Sequence, residues 1–364
     1  MRIKDVIRVL EQWAPPVLQE EYDNCGLQVG DAAAAVDRAL LTLDCTEAVV
    51  AEAREHGCGL IIAHHPVIFK GLKSLAGGTG VERTLLAAIQ ANVAIYAIHT
   101  NLDNVIHGVN GGIAARLGLR PLRVLDPKPG QLHKMAVFVP DGHAEALRNA
   151  LFDAGAGRMG DYDECSFNSQ GSGTFRPGQG ASPFVGERGL RHSQPETRVE
   201  VICPAHASAR IVAAMKAAHP YEEVAFDLHP LLNQHPGIGS GLLGEWERPM
   251  DEVPFLNRLK EVFGTPSVRH SQLTGKPVRR VALCGGSGAF LIEKALAAGA
   301  DAFVTGDVKY HEFFLPGDRM ILADIGHFES ERFTPVLIQD HLARILPTFA
   351  TRLAKTGTNP IHFH

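Results

Sequence analysis

Five side chains of the kinds that bind divalent metals stand at the ends of apolar, strand-like runs in distant parts of the chain: His64, His65, Asp103, His327 and Glu331. The segment HHP, residues 64–66, closes an unbroken apolar run, and open α/β sheets place ligand sites at the carboxyl ends of strands. Neighbouring strand residues face opposite ways, so the two imidazoles serve one metal each, or share one if the chain bends at Pro66. A histidine pair in a surface turn is the alternative. HTNLD, residues 99–103, closes the next run and offers an imidazole and a carboxylate. A carboxylate can bridge two cations where an imidazole cannot, which favours Asp103 as a ligand and leaves His99 to orient one from behind. Taken alone, Asp103 could equally form an N-cap or an Asx turn.

GHFESE, residues 326–331, leaves a further strand-like run and enters a helix with His327 and Glu331 at i and i+4. That spacing stacks them on one face. The helix macrodipole would also explain acidic residues at such a start. Three strand ends offering ligands at one edge are better explained by one site than by three coincidences. Three histidines and two carboxylates fall short of the eight positions or so that two four-coordinate metals need, so a bridging carboxylate and water must complete the set. Open positions mark a catalytic centre, and two dications facing only two carboxylates keep positive charge for an anionic substrate. TGDVKYHE adds Asp307, Lys309 and His311 near the same edge, where they could touch substrate. Asp23 and Asn24 in EYDNCGLQVG line the cleft or shape a turn. CGGSG, residues 284–288, matches neither GxGxxG nor a P-loop and reads as a tight βα turn.

The elements that position these residues follow βαβ logic. Apolar runs at 39–44, 59–65 and 93–99 alternate with helical patterns starting near Thr46, Val81 and Gly111, which predicts a parallel or mixed sheet. The same grammar returns with strands at 279–286, 301–306 and 320–327, a helix at 290–299 and a last helix through FTPVLIQDHLARIL. Between them, residues 134–140, 145–155, 198–204, 208–219 and 222–231 alternate strand, helix, strand, helix and strand, around a Gly/Ser/Pro-rich hairpin at 166–189. The order is βαββαβ, a ferredoxin-like plan. The fold class expected is therefore α/β: two related α/β halves, residues 1–130 and 233–364, with mixed sheets forming a metal cleft, plus an inserted α+β domain at 131–232.

Composition fits a globular protein: 364 residues, 45% hydrophobic and 21% charged, with a formal net charge of −5. No dense Lys/Arg stripe is present, which argues against nucleic-acid binding. The first residues lack the apolar run of a signal peptide and no apolar stretch is long enough to span a bilayer, so no membrane association is expected. Six scattered cysteines without a CxxC pair read as buried free thiols of a reducing, cytoplasmic compartment.

Together EYDNCGLQVG, HHP, HTNLD, TGDVKYHE and GHFESE resemble the Nif-three-like dinuclear-metal family, often called GTP cyclohydrolase I type 2 homologues. The resemblance implies two divalent cations per subunit on His64, His65, Asp103, His327 and Glu331, with Glu331 as the bridge and His99 and His311 as supporting or substrate-binding groups. Zn, Mn, Fe and Co all suit such a donor set. The segment ending HPYEEVAFDLHPL is similar to the PII-like or CutA-like domain of longer members, and a homohexamer is implied. The expected function is metal-dependent hydrolysis of a nucleotide or other small anion. Its rival is a non-enzymatic regulatory or metal-handling scaffold that senses a small molecule through the insert.

Overall fold

A computed structural model describes residues 1–362 and 364. The chain opens with α1 (Ile3–Trp13), β1 (Gly26–Val29), β2 (Arg38–Thr42), α2 (Glu47–Glu55), β3 (Leu60–Ala63), α3 (Gly80–Gln90), β4 (Ala94–Ala97), α4 (Thr100–Asp103), α5 (Val109–Leu117) and β5 (Arg120–Pro127). Next come β6 (Leu132–Pro140), α6 (Ala144–Asp153), β7 (Phe167–Phe175), β8 (His192–Pro204), α7 (Ser208–Ala218) and β9 (Phe226–Pro230). The last third holds β10 (Gly239–Met250), α8 (Glu252–Phe263), β11 (Arg269–His270), β12 (Val278–Ser287), α9 (Ile292–Ala297), β13 (Ala302–Gly306), β14 (Ile321–Asp324), α10 (His327–Glu331), α11 (Thr334–Ile345) and β15 (Ala350–Leu353).

Two compact units result: Met1–Pro127 with Gly237–His364, and Lys128–Pro236. In the first, a five-stranded sheet runs β1-β4-β3-β2-β15 and a six-stranded one β11-β14-β13-β12-β10-β5. Both are mixed. Strands β2, β3 and β4 are parallel neighbours, as are β12, β13 and β14; the first trio has antiparallel β1 at one edge and parallel β15 at the other, and the second is flanked by antiparallel β11 and β10. Parallel strands are covered on both faces, which is why β3 (LIIA) and β4 (AIYA) are apolar and buried at every position.

The sequence ranges 1–130 and 233–364 do not each own a sheet, because the C-terminal β15 pairs in parallel with β2 and the N-terminal β5 pairs with β10. Each exchanged strand covers an edge that its neighbour would otherwise leave unpaired. A common core seals the exchange: Ile3, Leu10, Leu41, Leu60 and Tyr96 pack in the same cluster as Phe255, Val304, Ile321 and Ile338. Helix α1 joins it through Ile3, Val6, Ile7 and Leu10, the i, i+3, i+4, i+7 stripe of an amphipathic helix. Thr46 and Thr79 cap α2 and α3 by accepting from the Val49 and Glu82 amides at 3.4 and 3.2 Å.

The second unit has one antiparallel sheet, ordered β7-β8-β6-β9. Met135, Val137 and Val139 of β6 alternate inward with Val199, Val201 and Cys203 of β8, beneath Leu147 and Leu151 of α6 and Ile211 and Met215 of α7. This core belongs to the unit alone. All six cysteines are free, although Cys25, Cys45 and Cys165 are half-buried rather than enclosed. Among the described residues no helix is long and apolar enough to cross a membrane.

Because its core is self-contained, the segment 128–236 produced alone should melt in one cooperative transition, with Leu147→Ala costing about 2–5 kcal/mol. A fragment without a thermal transition would contradict this division of the chain.

Candidate metal centre

The ladder of β3 does not stop at Ala63. The His64 amide donates to Thr42 O at 3.2 Å and the His65 amide to Leu43 O at 2.9 Å, so both histidines are held as an extension of the strand until Pro66, which lacks an N–H, ends it. His64 is fully buried, and its Nδ1 donates to the Ile98 carbonyl at 2.8 Å. Burial lowers its pKa, keeping the ring neutral with the lone pair on Nε2. That nitrogen has no hydrogen-bond partner, nor does the buried Asp103 Oδ1 that lies 3.7 Å from it. Two buried acceptor atoms facing one another without a donor are costly unless a proton or a metal cation sits between them.

Asp103 ends α4. It does not cap that helix, whose N-cap position is His99; Asn101 accepts the His99 amide on its Oδ1 at 3.0 Å and donates its amide group to Ala14 O at 2.7 Å. Burial first, and then the charge of Glu331, push the Asp103 carboxyl well above the usual range. Glu331 ends α10 and is only 3% exposed, so it is no solvated acid at a helix start. Burial opposes its charge, yet His327, His64 and His65 hold its carboxyl well below the ordinary value.

The two oxygens of Glu331 face different groups. Oε1 is 3.8 Å from His64 Nε2, while Oε2 is 3.0 Å from His65 Nε2 and 3.1 Å from His327 Nε2. Three groupings of ligand atoms result, each within 4.8 Å: His64 with Asp103 and Glu331, His65 with His327 and Glu331, and His64 with His65 and His99. Donors about 2.1 Å from a tetrahedral metal stand about 3.4 Å from one another, which is the spacing these atoms show. The residues present therefore fit a metal.

Each outer histidine is oriented from behind by a carboxylate on the adjoining strand end. His65 Nδ1 donates to Asp44 at 2.7 Å and His327 Nδ1 to Asp307 at 2.6 Å. Burial would lower both rings' pKa values, but the hydrogen bonds and charges of Asp44 and Glu331 raise His65 to about 10, and those of Glu331 and Asp307 raise His327 to about 9. Asp44 follows β2, Asp307 follows β13, and Asp23 holds His99 in the same way, accepting from Nδ1 at 2.8 Å. The His99 ring stands edge-on to both His64 and His65, with centroids 5.2 Å away. His311 is not brought into the cluster; it lies in the turn Tyr310–Phe314, exposed and stacked edge-on to Tyr310.

The glycines of CGGSG also find a reason. Strand β12 continues through them to Ser287, and a Cβ on Gly286, whose φ is +61°, would fall 2.4 Å from Glu331 Oε1. Gly285 and Gly286 let the backbone pass the buried carboxylate, and Gly288 packs against Cys284 and Thr305. Above the cluster opens a cleft of about 490 Å³, lined in part by Tyr22, Phe69, His99, Asn110, Ser287 and Phe290.

Fold and cluster together define a class: a mixed α/β protein that buries a histidine–carboxylate group of metal-ligand type at the carboxyl ends of its parallel strands. The chain belongs to the Duf34/NIF3 (NGG1p interacting factor 3) family, whose model matches residues 1–360. A protein of Halalkalibacterium halodurans named GTP cyclohydrolase 1 type 2 homolog is 39% identical over 346 residues, 94% of this chain and 92% of that one. The Bacillus subtilis protein of the same name is 35% identical, over 99% of this chain and 98% of its own. The crystal structure of a Bacillus cereus protein related to NIF3 aligns over 100% of this chain and 99% of its own, with a TM-score of 0.88 and 35% identity.

His65 and His327, with pKa values of about 10 and 9, are both protonated at pH 7 in the metal-free site, so a cation binding there must expel their Nε2 protons. Zn²⁺ affinity should therefore rise by up to about 100-fold per pH unit (two protons) from pH 7 until pH approaches 9. Calorimetry in buffers of differing ionisation enthalpy reads this directly, and a pH-independent affinity would be incompatible with it. Asp44→Asn and Asp307→Asn should each weaken binding by about 10–100-fold.

Proposed function

We propose that this is a dinuclear metal-dependent hydrolase of small anionic substrates, with nucleotides the first class to test. The observation that carries the reading is the placement of Glu331, whose two oxygens serve separate donor groups. His64, Asp103 and Glu331 would hold one dication, and His65, His327 and Glu331 the other. Bound there, the metals supply Lewis acidity, which acidifies water and neutralises charge that builds on an oxyanion.

The remaining work falls to the chain's own side chains. Asp44 and Asp307 fix the two outer imidazoles so that each presents Nε2. His99, tethered through Nδ1 to Asp23, keeps Nε2 for exchanging a proton with a substrate in the cleft that it lines. Tyr22 and Phe69, with ring centroids 6.1 Å apart at the same cleft, offer apolar faces to a planar base. The name that the relatives carry makes GTP the first substrate to try. For residues 131–232, the βαββαβ order and the sheet order β7-β8-β6-β9 support the ferredoxin-like plan of an inserted domain.

Protein loaded with Zn²⁺, Mn²⁺, Fe²⁺ or Co²⁺ should turn over GTP or another nucleotide. Glu331→Gln should lower kcat by more than the roughly 10–100-fold typical of outer-shell changes, because it weakens both metals at once. Turnover that survives unchanged in Glu331→Gln would end the proposal.

A further inference from the structure

The unit Lys128–Pro236 has its own cavity, of about 620 Å³. Residues alternate along β6 and β8, and the set opposite the core, Phe138 with Glu196 and Arg198, faces away from α6 and α7. The loop between β7 and β8 crosses this open face as a roof. Two hydrogen bonds brace it: the Gly189 amide donates to Pro177 O at 2.8 Å and the Ser182 amide to the Glu222 side-chain Oε1 at 2.7 Å.

Inside, three aromatic rings converge. Phe175 lies 5.8 Å and Phe184 6.3 Å from Tyr221, centroid to centroid. At their base sits Glu196, 7% exposed, whose Oε1 accepts the Tyr221 hydroxyl at 2.9 Å. No described residue donates to its Oε2, and the carboxylate lines the cavity. The sheet makes room for it. A Cβ on Gly173 would fall 2.2 Å from Oε2, so only glycine permits this carboxylate position. Arg198, the nearest cation along β8, is already engaged: it pairs with Glu200 at 2.8 Å and lies over Phe138.

A buried carboxylate with one oxygen spare, walled by aromatic faces, is the chemistry that recognises an organic cation: the carboxylate supplies the counter-charge and the rings supply cation–π attraction and apolar surface. We propose that this cavity binds a small organic ammonium or guanidinium compound carrying an apolar body. The ammonium would donate to Glu196 Oε2, with the body held between Phe184 and Tyr221. The site lies wholly within the second unit and does not depend on the metal reading.

Calorimetric titration of the full chain at pH 7 with phenethylammonium tests the proposal, with 2-phenylethanol and 3-phenylpropionate as neutral and anionic matches of similar shape. Phenethylammonium should bind one per chain, and the other two about 10-fold more weakly or not at all. Glu196→Gln, which keeps the acceptor for Tyr221, should cost about 10-fold in affinity for the cation only. Phe184 is 53% exposed, so Phe184→Ala leaves the core intact and should weaken the cation even if Glu196→Gln fails to fold. Equal binding of the three probes, no saturable binding of the cation, or full affinity in both variants would each overturn the assignment.

Discussion

The carboxylate of Glu331, buried to 3% exposure among three imidazoles, is the constraint to which the rest of the first unit answers. A carboxylate cannot leave water without partners, and stripping a partner from a buried pair typically costs about 3–5 kcal/mol. Every neighbour of Glu331 is accordingly pinned. Asp44 and Asp307 hold His65 and His327, the Ile98 carbonyl holds His64, and the Ser330 hydroxyl accepts from the Gly286 amide at 2.9 Å where β12 passes the helix. Even so, His64 Nε2 and Asp103 Oδ1 end without partners. The protein thus keeps a small polar cluster with two buried acceptor atoms unsatisfied.

Meeting that constraint forces the ends of the chain together. His64 and His65 leave a strand of one sheet, and His327 and Glu331 leave a strand of the other. Holding these side chains from two sheets within a few ångströms of one another requires that the sheets not slide, and the exchange of β5 and β15 combined with one shared core supplies that rigidity. The pattern also explains why the cluster forms at this edge. Parallel strands aim their carboxyl ends the same way, so Asp44, His64, His99, Asp307 and His327 arrive together, candidate ligands and orienting groups alike.

Much of this could be read from residues alone, for physical reasons. The parallel trios are buried on both faces and so announce themselves as apolar runs, and HHP, HTNLD and GHFESE stand at their ends. Strand β10 was harder to see because GSGLLGEWERPM mixes Gly, Pro and charge, as antiparallel strands with bulges can. The two-residue β11 and the edge strand β15 carry too little pattern to read. Asp44 has no local signature, being a single carboxylate after a strand; its role exists only once His65 is beside it. Asp307, read as a substrate contact, accepts from His327 instead, and His311 stays at the surface because its turn carries Tyr310, His311 and Phe314 past the edge of the cluster. In the intervening unit the hairpin at 166–189 is legible as Gly-rich, whereas its use as the roof of a cavity is not, since Phe184 and Glu196 are brought together through Tyr221, which lies beyond the next helix.

The central claim is that Glu331 joins two metal positions. Anomalous diffraction from crystals of the zinc-loaded protein, collected on either side of the zinc edge, tests it most directly. The account predicts two peaks per chain, one among His64, Asp103 and Glu331 and one among His65, His327 and Glu331, with the Glu331 carboxylate touching both. A single peak, or two peaks of which one lies away from Glu331, would contradict it.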